Sequence, residues 1–510
     1  MSNKTTNAGA PDMKLFYACF VALVTTSFGF TLRSIVGLPA WGKQFNLTQT
    51  QLGEIAGVGL WPFAISIVLF SLIVDKIGYK TAMIFAFVCH ITSAFLTIFA
   101  TGYWSLYIGT FFLALGAGIV ESVVNPVVAT MFPREKTKWL NILHAGWPGG
   151  IVLGGMIALL MGEGTRWEYK IALIFVPAIT YGILMFFRKF PINERVQAGV
   201  SYKEMLQEVG AIGALAIVSM IVFQLGAPTL FNWSLTLKII LVLGVSVLFG
   251  LYTKSLGQPL FIILLLIMIP LATTELGTDS WITDLMTPAM SDLGMQAGWV
   301  LVYTSAIMFV LRFFAGPLVH KFSPLGLLAI CSVIAAIGLY LLSASAGVMI
   351  LVAATIYGLG KTFFWPTMLG VVAERFPKGG ALTLNITGGM GMIAAGVIGA
   401  GVLGFIQDKS VDSKIAEYDK VSNTALHSTY VTENKTSLFG DYRALNQEKL
   451  AAANTEEQAT VTNIQNVAKK GALRDIVIFP LIMLVSYILL ILYFRFKGGY
   501  KAVMLQQQET

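Results

Sequence analysis

Runs of roughly twenty apolar residues recur along almost the whole chain, and no other feature constrains the fold so tightly. A bilayer core of about 30 Å needs about 20 such residues per helix. The runs fall near 14–41, 52–74, 80–101, 103–131, 138–161, 170–188, 211–229, 236–253, 259–289, 295–318, 326–345, 347–374, 379–405 and 474–496. In lipid only helices and closed barrels satisfy every backbone group. Barrel strands would show alternating segments of about 10 residues, whereas these runs are continuous. The expectation is an all-α integral membrane protein with about 14 transmembrane helices.

Composition excludes the main alternatives. The 510 residues are 56% hydrophobic and only 12% charged, against about 45–50% and about 25% in soluble domains. That is too little charge to cover a water-facing surface, which argues against a soluble enzyme, a disordered chain and a nucleic-acid binder. Lys and Arg exceed Asp and Glu by 34 to 26, a net charge of +8, and in membrane proteins such an excess gathers on cytoplasmic loops. One set of loops carries DKIGYK (75–80), PREKTK (133–138), Arg188, Lys189, Lys254, Lys321, ERFPK (374–378) and the tail residues Arg495, Lys497 and Lys501. The other carries Lys43, Arg166, Lys170 and the long polar stretch 406–473. Both termini are therefore expected in the cytoplasm, with 406–473 outside. No small-residue cleavage site follows the polar N-terminus, so the first run reads as a retained span. Cys19, Cys89 and Cys331 are far apart within apolar runs and show no metal spacing; no metal or cofactor is expected. The motif GxxxxGK[ST] does not occur, nor do HExxH and GxSxG, so neither ATP-driven work nor hydrolysis has support.

The chain repeats itself. SLIVDK (71–76) aligns with GPLVHK (316–321) and LGAG (115–118) with LGKT (359–362). Phe132-Pro133 aligns with Phe376-Pro377, and Leu140-Asn141-Ile142 with Leu384-Asn385-Ile386. All share an offset of about 244 residues, the signature of two pseudo-symmetric six-helix bundles. The helices at 211–253 have no repeat partner. The expected organisation is a cytoplasmic tail 1–13, an N-terminal half 14–190, a linker 191–258 with two extra central helices, the first five helices of the C-terminal half at 259–405, an extracytoplasmic loop 406–473, a last helix 474–496 and a tail 497–510. The second part of the loop, 443–470, is rich in helix formers.

SLIVDKIGYK (71–80) resembles the loop signature of the major facilitator superfamily, with Ser71 in place of the usual glycine; the second copy, GPLVHKFSPL, keeps Gly316 and Lys321 and has His320 for the acid. The resemblance covers nearly all of 14–405 and 474–496. GAGIVESVVNP (116–126) followed by LNILHAGWPGG (140–150) is similar to the fucose permease branch of sugar:proton symporters, with Glu121, Asn125, Pro126, Asn141 and His144 matching. That branch has an acidic residue late in span 1; here FGFTLRSIVGLP carries Arg33 instead. The resemblance implies the MFS fold, a multi-pass protein of the cell membrane (bacterial inner membrane), and proton symport of a sugar or sugar derivative by alternating access. It implies no enzyme activity, a small-molecule substrate with protons, and a monomer in the lipid bilayer. It assigns a gate to Asp75, Lys76, Gly78, Lys80 and Lys321. An organic-anion or acidic-sugar carrier or exporter, and a non-transporting membrane sensor, are the alternatives.

Ionisable groups in lipid are costly and mark function by default. Glu121 stands about 15 Å into its span and shares a face with Asn125, four residues on; it is the candidate proton carrier, with Glu275 second. Lys361 is also central and is expected across the cavity from Glu121, as a switch, a ligand clamp or a static ion pair. Arg33, Glu275 and Asp279 are expected in the outer parts of their spans. Glu275 and Asp279 share a face, so one is expected to be protonated, paired or in headgroup water, and pairing with Arg33 is plausible. Trp147, Trp281 and Trp365 neighbour these groups and suit the C–H face of a sugar ring; Asn141, His144 and Asn385 complete the candidate binding set. Arg312 reads as structural and His90 as a packed side chain. Gly146, Gly150 and Gly154 form a stripe that permits close helix approach.

Overall fold

The apolar runs are helical in the computed structural model, which describes residues 11–505 other than 48, 163, 228–229, 280–281, 283–285, 287–289, 292–293, 297, 346 and 438–439. The N-terminal half comprises α1 (Met13–Gln44), α2 (Gln51–Ile77), α3 (Tyr79–Ile98), α4 (Tyr103–Met131), α5 (Lys136–Leu160) and α6 (Trp167–Phe186). Two helices follow without counterparts, α7 (Tyr202–Leu225) and α8 (Leu235–Thr253). The C-terminal half comprises α9 (Pro259–Gly277), α10 (Gly298–Arg312, bent by 70° into a short helix Ala315–Phe322), α11 (Pro324–Ala344) and α12 (Met349–Arg375). It closes with α13 (Gly380–Ile393), which runs through a π-helical turn Ala394–Gly399 into Ala400–Ser422, and α14 (Thr455–Phe496).

Among the described residues, 12 helices are long and apolar enough to cross a membrane, or 13 with the bent pair taken as one span. The count of fourteen is not reached, because the run at 379–405 stays outside it: α13 has only 14 residues before its π-helical turn.

The halves meet along repeat-related pairs, α2 against α13 and α5 against α10. Within the N-terminal half, α5 lies directly on α1. A Cβ on Gly150 would stand 2.0 Å from Ser27 Oγ and 2.4 Å from the Val24 carbonyl, so the stripe's glycines admit the neighbouring backbone, as small residues do in membranes. α7 is interrupted at Gly210 (φ 57°, ψ −172°). There Ala211 N–H donates to Ser255 O at 2.9 Å and Gln258 N–H to Glu208 O at 3.0 Å; a Cβ would fall 1.9 Å from Gly257 N. α8 packs chiefly on α7 and turns most of its apolar surface outward.

Stretch 406–473 is a folded cap. α13 and α14 continue beyond the bundle as a packed pair, Ala400–Ser422 against Thr455–Asp475. Asn454 caps the latter, accepting from Glu457 N–H at 2.8 Å, which satisfies a helix-end donor. Between them lie the short helices Leu426–Tyr430 and Gln447–Ala451 and an antiparallel hairpin, β1 (Glu433–Ser437) with β2 (Gly440–Ala444). The hairpin is the one departure from an all-helical chain among the described residues. Val411, Ile415, Leu426, Tyr430 and Val461 form a separate small core.

Candidate functional site

A polar cluster crosses the seam between the halves. Glu121 and Asn125, one turn apart on α4, are both buried, and Asn125 Nδ2 donates to Glu121 Oε2 at 2.6 Å. The amide oxygen thus faces away and lies 2.8 Å from His144 Nε2 on α5. That oxygen only accepts, so His144 carries its proton on Nε2 and donates. Arg312, at the end of α10, reaches across and donates from Nη1 to the His144 carbonyl at 2.6 Å. Its Nη2 donates to Glu275 Oε1 at 2.9 Å and its Nε to Thr362 O at 2.7 Å. Glu275 Oε2 accepts from Trp365 N–H at 3.1 Å. Glu121, His144, Trp147, Glu275, Arg312 and Trp365 line one cavity of about 20 Å³ with Leu276 and Met392.

Prolines supply most of the acceptors. A helix bonds N–H of residue i to the carbonyl of i−4, and proline at i removes that donor. Pro148 so frees the His144 carbonyl and Pro366 that of Thr362, the two that Arg312 uses. Pro126 frees Ser122 O, which accepts from Asn385 Nδ2 at 2.8 Å, and Ala373 O, free because it lies in the last turn of α12, accepts from Lys136 Nζ at 3.3 Å. Three of these four bonds (to His144, Ser122 and Ala373) join one half to the other.

Several expectations are corrected here. Glu275 does not stand apart in the outer part of its span; it lines the cavity with Glu121 from a π-helical turn, Thr273–Gly277. Neither Glu275 nor Asp279 pairs with Arg33. Glu275 pairs with Arg312, while Asp279 pairs with Lys361, so two cations relieve the repulsion. Lys361 does not face Glu121 either: it lies fully buried in the C-terminal half, over the Tyr357 ring at 5.1 Å from its centroid. Arg312, read as structural, is one of the groups that tie the halves together; the proline four residues beyond each of its acceptors was the available signal.

The other candidates lie around the cavity. Asn141 Nδ2 donates to Thr367 Oγ1 at 3.1 Å, a second cross-seam contact beside that of Asn385. Trp147 stacks on Phe63 with centroids 6.0 Å apart. Trp281 lies outside the described residues. Arg33 does not line the central cavity; it lines a second space of about 20 Å³ within the N-terminal half. His90 is packed, its Nδ1 3.0 Å from Tyr181 Oη.

At the face where Asp12 meets Arg188 and Val503 meets Glu374, Asp75 pairs with Arg195 at 2.6 Å. Lys76 and Lys80 lie over the rings of Tyr202 and Phe186, and Lys321 over Phe322. Gly78 has φ 83°, the region glycine tolerates. Glu374 joins the halves here, accepting from Thr137 Oγ1 at 2.5 Å and from Tyr500 Oη at 2.8 Å. Glu135 receives Lys138 Nζ on both oxygens, at 3.1 and 3.0 Å, and lies 3.3 Å from His320. The Lys138 ammonium, with His320 behind it, holds the Glu135 carboxyl below its ordinary range.

Comparison with known proteins fits this architecture. The chain is 24% identical over 169 residues to the gentisate transporter of Corynebacterium glutamicum, 32% of this chain and 38% of that one. It is 24% identical over 154 residues to a probable sugar efflux transporter of Helicobacter pylori, 30% of this chain and 39% of that one. The chain thus spans about two-fifths of the length of these curated relatives. The crystal structure of the transporter FucP in the outward conformation superposes with a TM-score of 0.54 at 15% identity, over 92% of this chain and 98% of that one. The family model of the Major Facilitator Superfamily matches residues 18–277, half of the chain; the chain belongs to the Major Facilitator Superfamily.

Proposed function

We propose that the protein is a secondary active transporter that moves a small polar solute, a sugar or sugar derivative, together with protons, by rocking its two halves about the central cavity. The observation that carries this is the continuous chain Glu121–Asn125–His144–Arg312–Glu275, which joins the halves beside two tryptophans. Among the described residues the Glu121 carboxylate has one hydrogen-bonding partner, the neutral amide of Asn125, with His144 Nε2 4.0 Å away. A carboxyl so placed can gain or lose a proton without breaking an ion pair. Arg312 and Lys361 are each matched by a carboxylate, which leaves no free cation among the described residues at the cavity and favours a neutral solute over an anion. Trp147 and Trp365 offer flat apolar faces, and Glu121 and His144 hydrogen-bonding groups for hydroxyls. A cavity of about 20 Å³ holds about one water, so a solute enters only when the halves part.

The relatives' names, a gentisate transporter and a sugar efflux transporter, support transport and divide on the solute. The basic loops support cytoplasmic termini and an outer cap, with Asp75 and its pairing to Arg195 as part of the inner gate. One chain carries both sides of the site, which supports a functional monomer.

Counterflow and pH-driven uptake of sugars in proteoliposomes test the reading. Glu121→Gln mimics the protonated carboxyl. It should keep solute exchange and lose accumulation driven by a pH gradient, because the unloaded carrier must deprotonate to reset. Retained pH-driven accumulation in Glu121→Gln would move the coupling to Glu275; no uptake of any sugar by the parent protein would remove the sugar assignment.

A further inference from the structure

Arg33 is the cation the transport reading leaves unexplained. It is 4% exposed, at the start of a π-helical turn, Arg33–Gly37, in α1. Among the described residues its Nε has no acceptor and no carboxylate pairs with it. Its guanidinium carbon lies over the Phe30 ring, 5.0 Å from the centroid. Two acids of the same half are engaged elsewhere: Glu54 accepts from Tyr103 Oη at 2.5 Å and Glu121 from Asn125. The guanidinium packs so tightly on Gly59 that a Cβ there would fall 1.2 Å from Nη1, so the fold makes room for it.

A second orphan donor lies on the same helix. Trp41 is 1% exposed, and its Nε1–H has no acceptor among the described residues. Arg33 and Trp41 line one cavity of about 20 Å³ with the hydroxyl residues Ser93, Thr97 and Thr110, the remainder being apolar side chains such as Leu32 and Leu113. Its walls come from α1, α3, α4 and α6, all in one half, so it is not the space that opens between halves. A guanidinium keeps its charge at any physiological pH, and a buried charge needs a counter-charge. A void of this size admits about one water-sized guest. That excludes a sugar or an aromatic acid and fits a monatomic anion.

We propose that this cavity binds a halide, chloride under physiological conditions, held by the Arg33 guanidinium and the Trp41 indole N–H as a resident ion of the N-terminal half. Chloride supplies the missing charge and accepts from both orphan donors; a water would satisfy the donors and leave the charge unmatched. The site is independent of the transported solute, and its test involves no transport.

The full-length protein, purified in detergent in sodium gluconate, is titrated with sodium chloride or bromide at constant ionic strength while its thermal unfolding midpoint is followed. The expected result is a saturable rise with either halide. Arg33→Gln should abolish it, and Trp41→Phe should shift half-saturation to about tenfold higher halide. Should Arg33→Gln fail to fold, Trp41→Phe and the anomalous diffraction of bromide at Arg33 decide. Equal midpoints in gluconate and chloride, an Arg33→Gln variant that responds like the parent, or bromide crystals with no anomalous peak at this cavity would each overturn the proposal.

Discussion

The two halves satisfy their buried carboxylates in different ways. In the N-terminal half Glu121 leans on an amide, with an imidazole behind it. In the C-terminal half Glu275 and Asp279 lean on Arg312 and Lys361. The first arrangement is neutral apart from the carboxyl, so protonation costs one hydrogen-bond rearrangement. The second is ionic, so protonating either acid strands a buried cation. A repeated scaffold thus carries an amide-bonded carboxyl on one side of the seam and ion-paired carboxylates on the other.

Removing Arg312 should break this contrast with the largest effect. Arg312→Gln leaves Glu275 as a buried charge without its cation and takes the donors from two proline-freed carbonyls. Breaking a buried pair costs about 3–5 kcal/mol, so the variant should unfold far earlier in detergent or fail to accumulate. Glu121→Gln, which exchanges one hydrogen-bonding group for another, should stay within about 1 kcal/mol of the parent. Comparing thermal unfolding of the two by fluorescence checks the difference; equal losses would show that both halves rely on charge alike.

Much of this was legible in the sequence, and the limits have physical causes. Helical periodicity put Glu121 beside Asn125, because residues four apart meet on a helix whatever surrounds it. The repeat located Asn141 and Asn385, which form related contacts across the seam. Partners from distant spans were not legible: Glu275 could be matched to Arg33 or Arg312 only by knowing how α9, α10 and α12 pack. The π-helical turn at Thr273–Gly277 was invisible too, since such a turn shifts the helix face without a distinctive residue. The hairpin in the cap escaped because helix formers dominate the stretch that follows it, and a two-stranded ribbon needs support from tertiary packing, here beside a small core.

The prolines offer a finer test of the seam. Pro148→Ala restores an N–H four residues beyond His144, so the helix can reclaim the carbonyl that Arg312 now uses. The competition should weaken the bond between halves by about 1 kcal/mol, the net worth of one hydrogen bond. Replacing proline also loosens the unfolded chain, and a double-mutant cycle with Arg312→Gln removes that shared contribution. A coupling near zero would mean that the freed carbonyl is incidental to the seam.

The smallest expected effect lies outside the membrane and contrasts an exposed carboxylate with the buried ones. Glu135 joins the loop between α4 and α5 to Lys138 and His320, and Lys138 lowers its carboxyl below the ordinary range. A depressed acid contributes stability above its unfolded value and loses it as pH falls through the folded one. The parent and Glu135→Gln should therefore differ at neutral pH and converge only below the usual carboxylate range. The side chain is 37% exposed, enough for solvent to screen the pair, so the gap should be under about 1 kcal/mol. It should shrink further in high salt, because exposed pairs are screened over about 10 Å at 0.1 M. Thermal midpoints of the two proteins at pH 3 and pH 7, in low and high salt, measure it. A gap that survives both acid and salt would mean that Glu135 acts by packing, and that charge at this face matters even less than the buried ion pairs of the C-terminal half suggest.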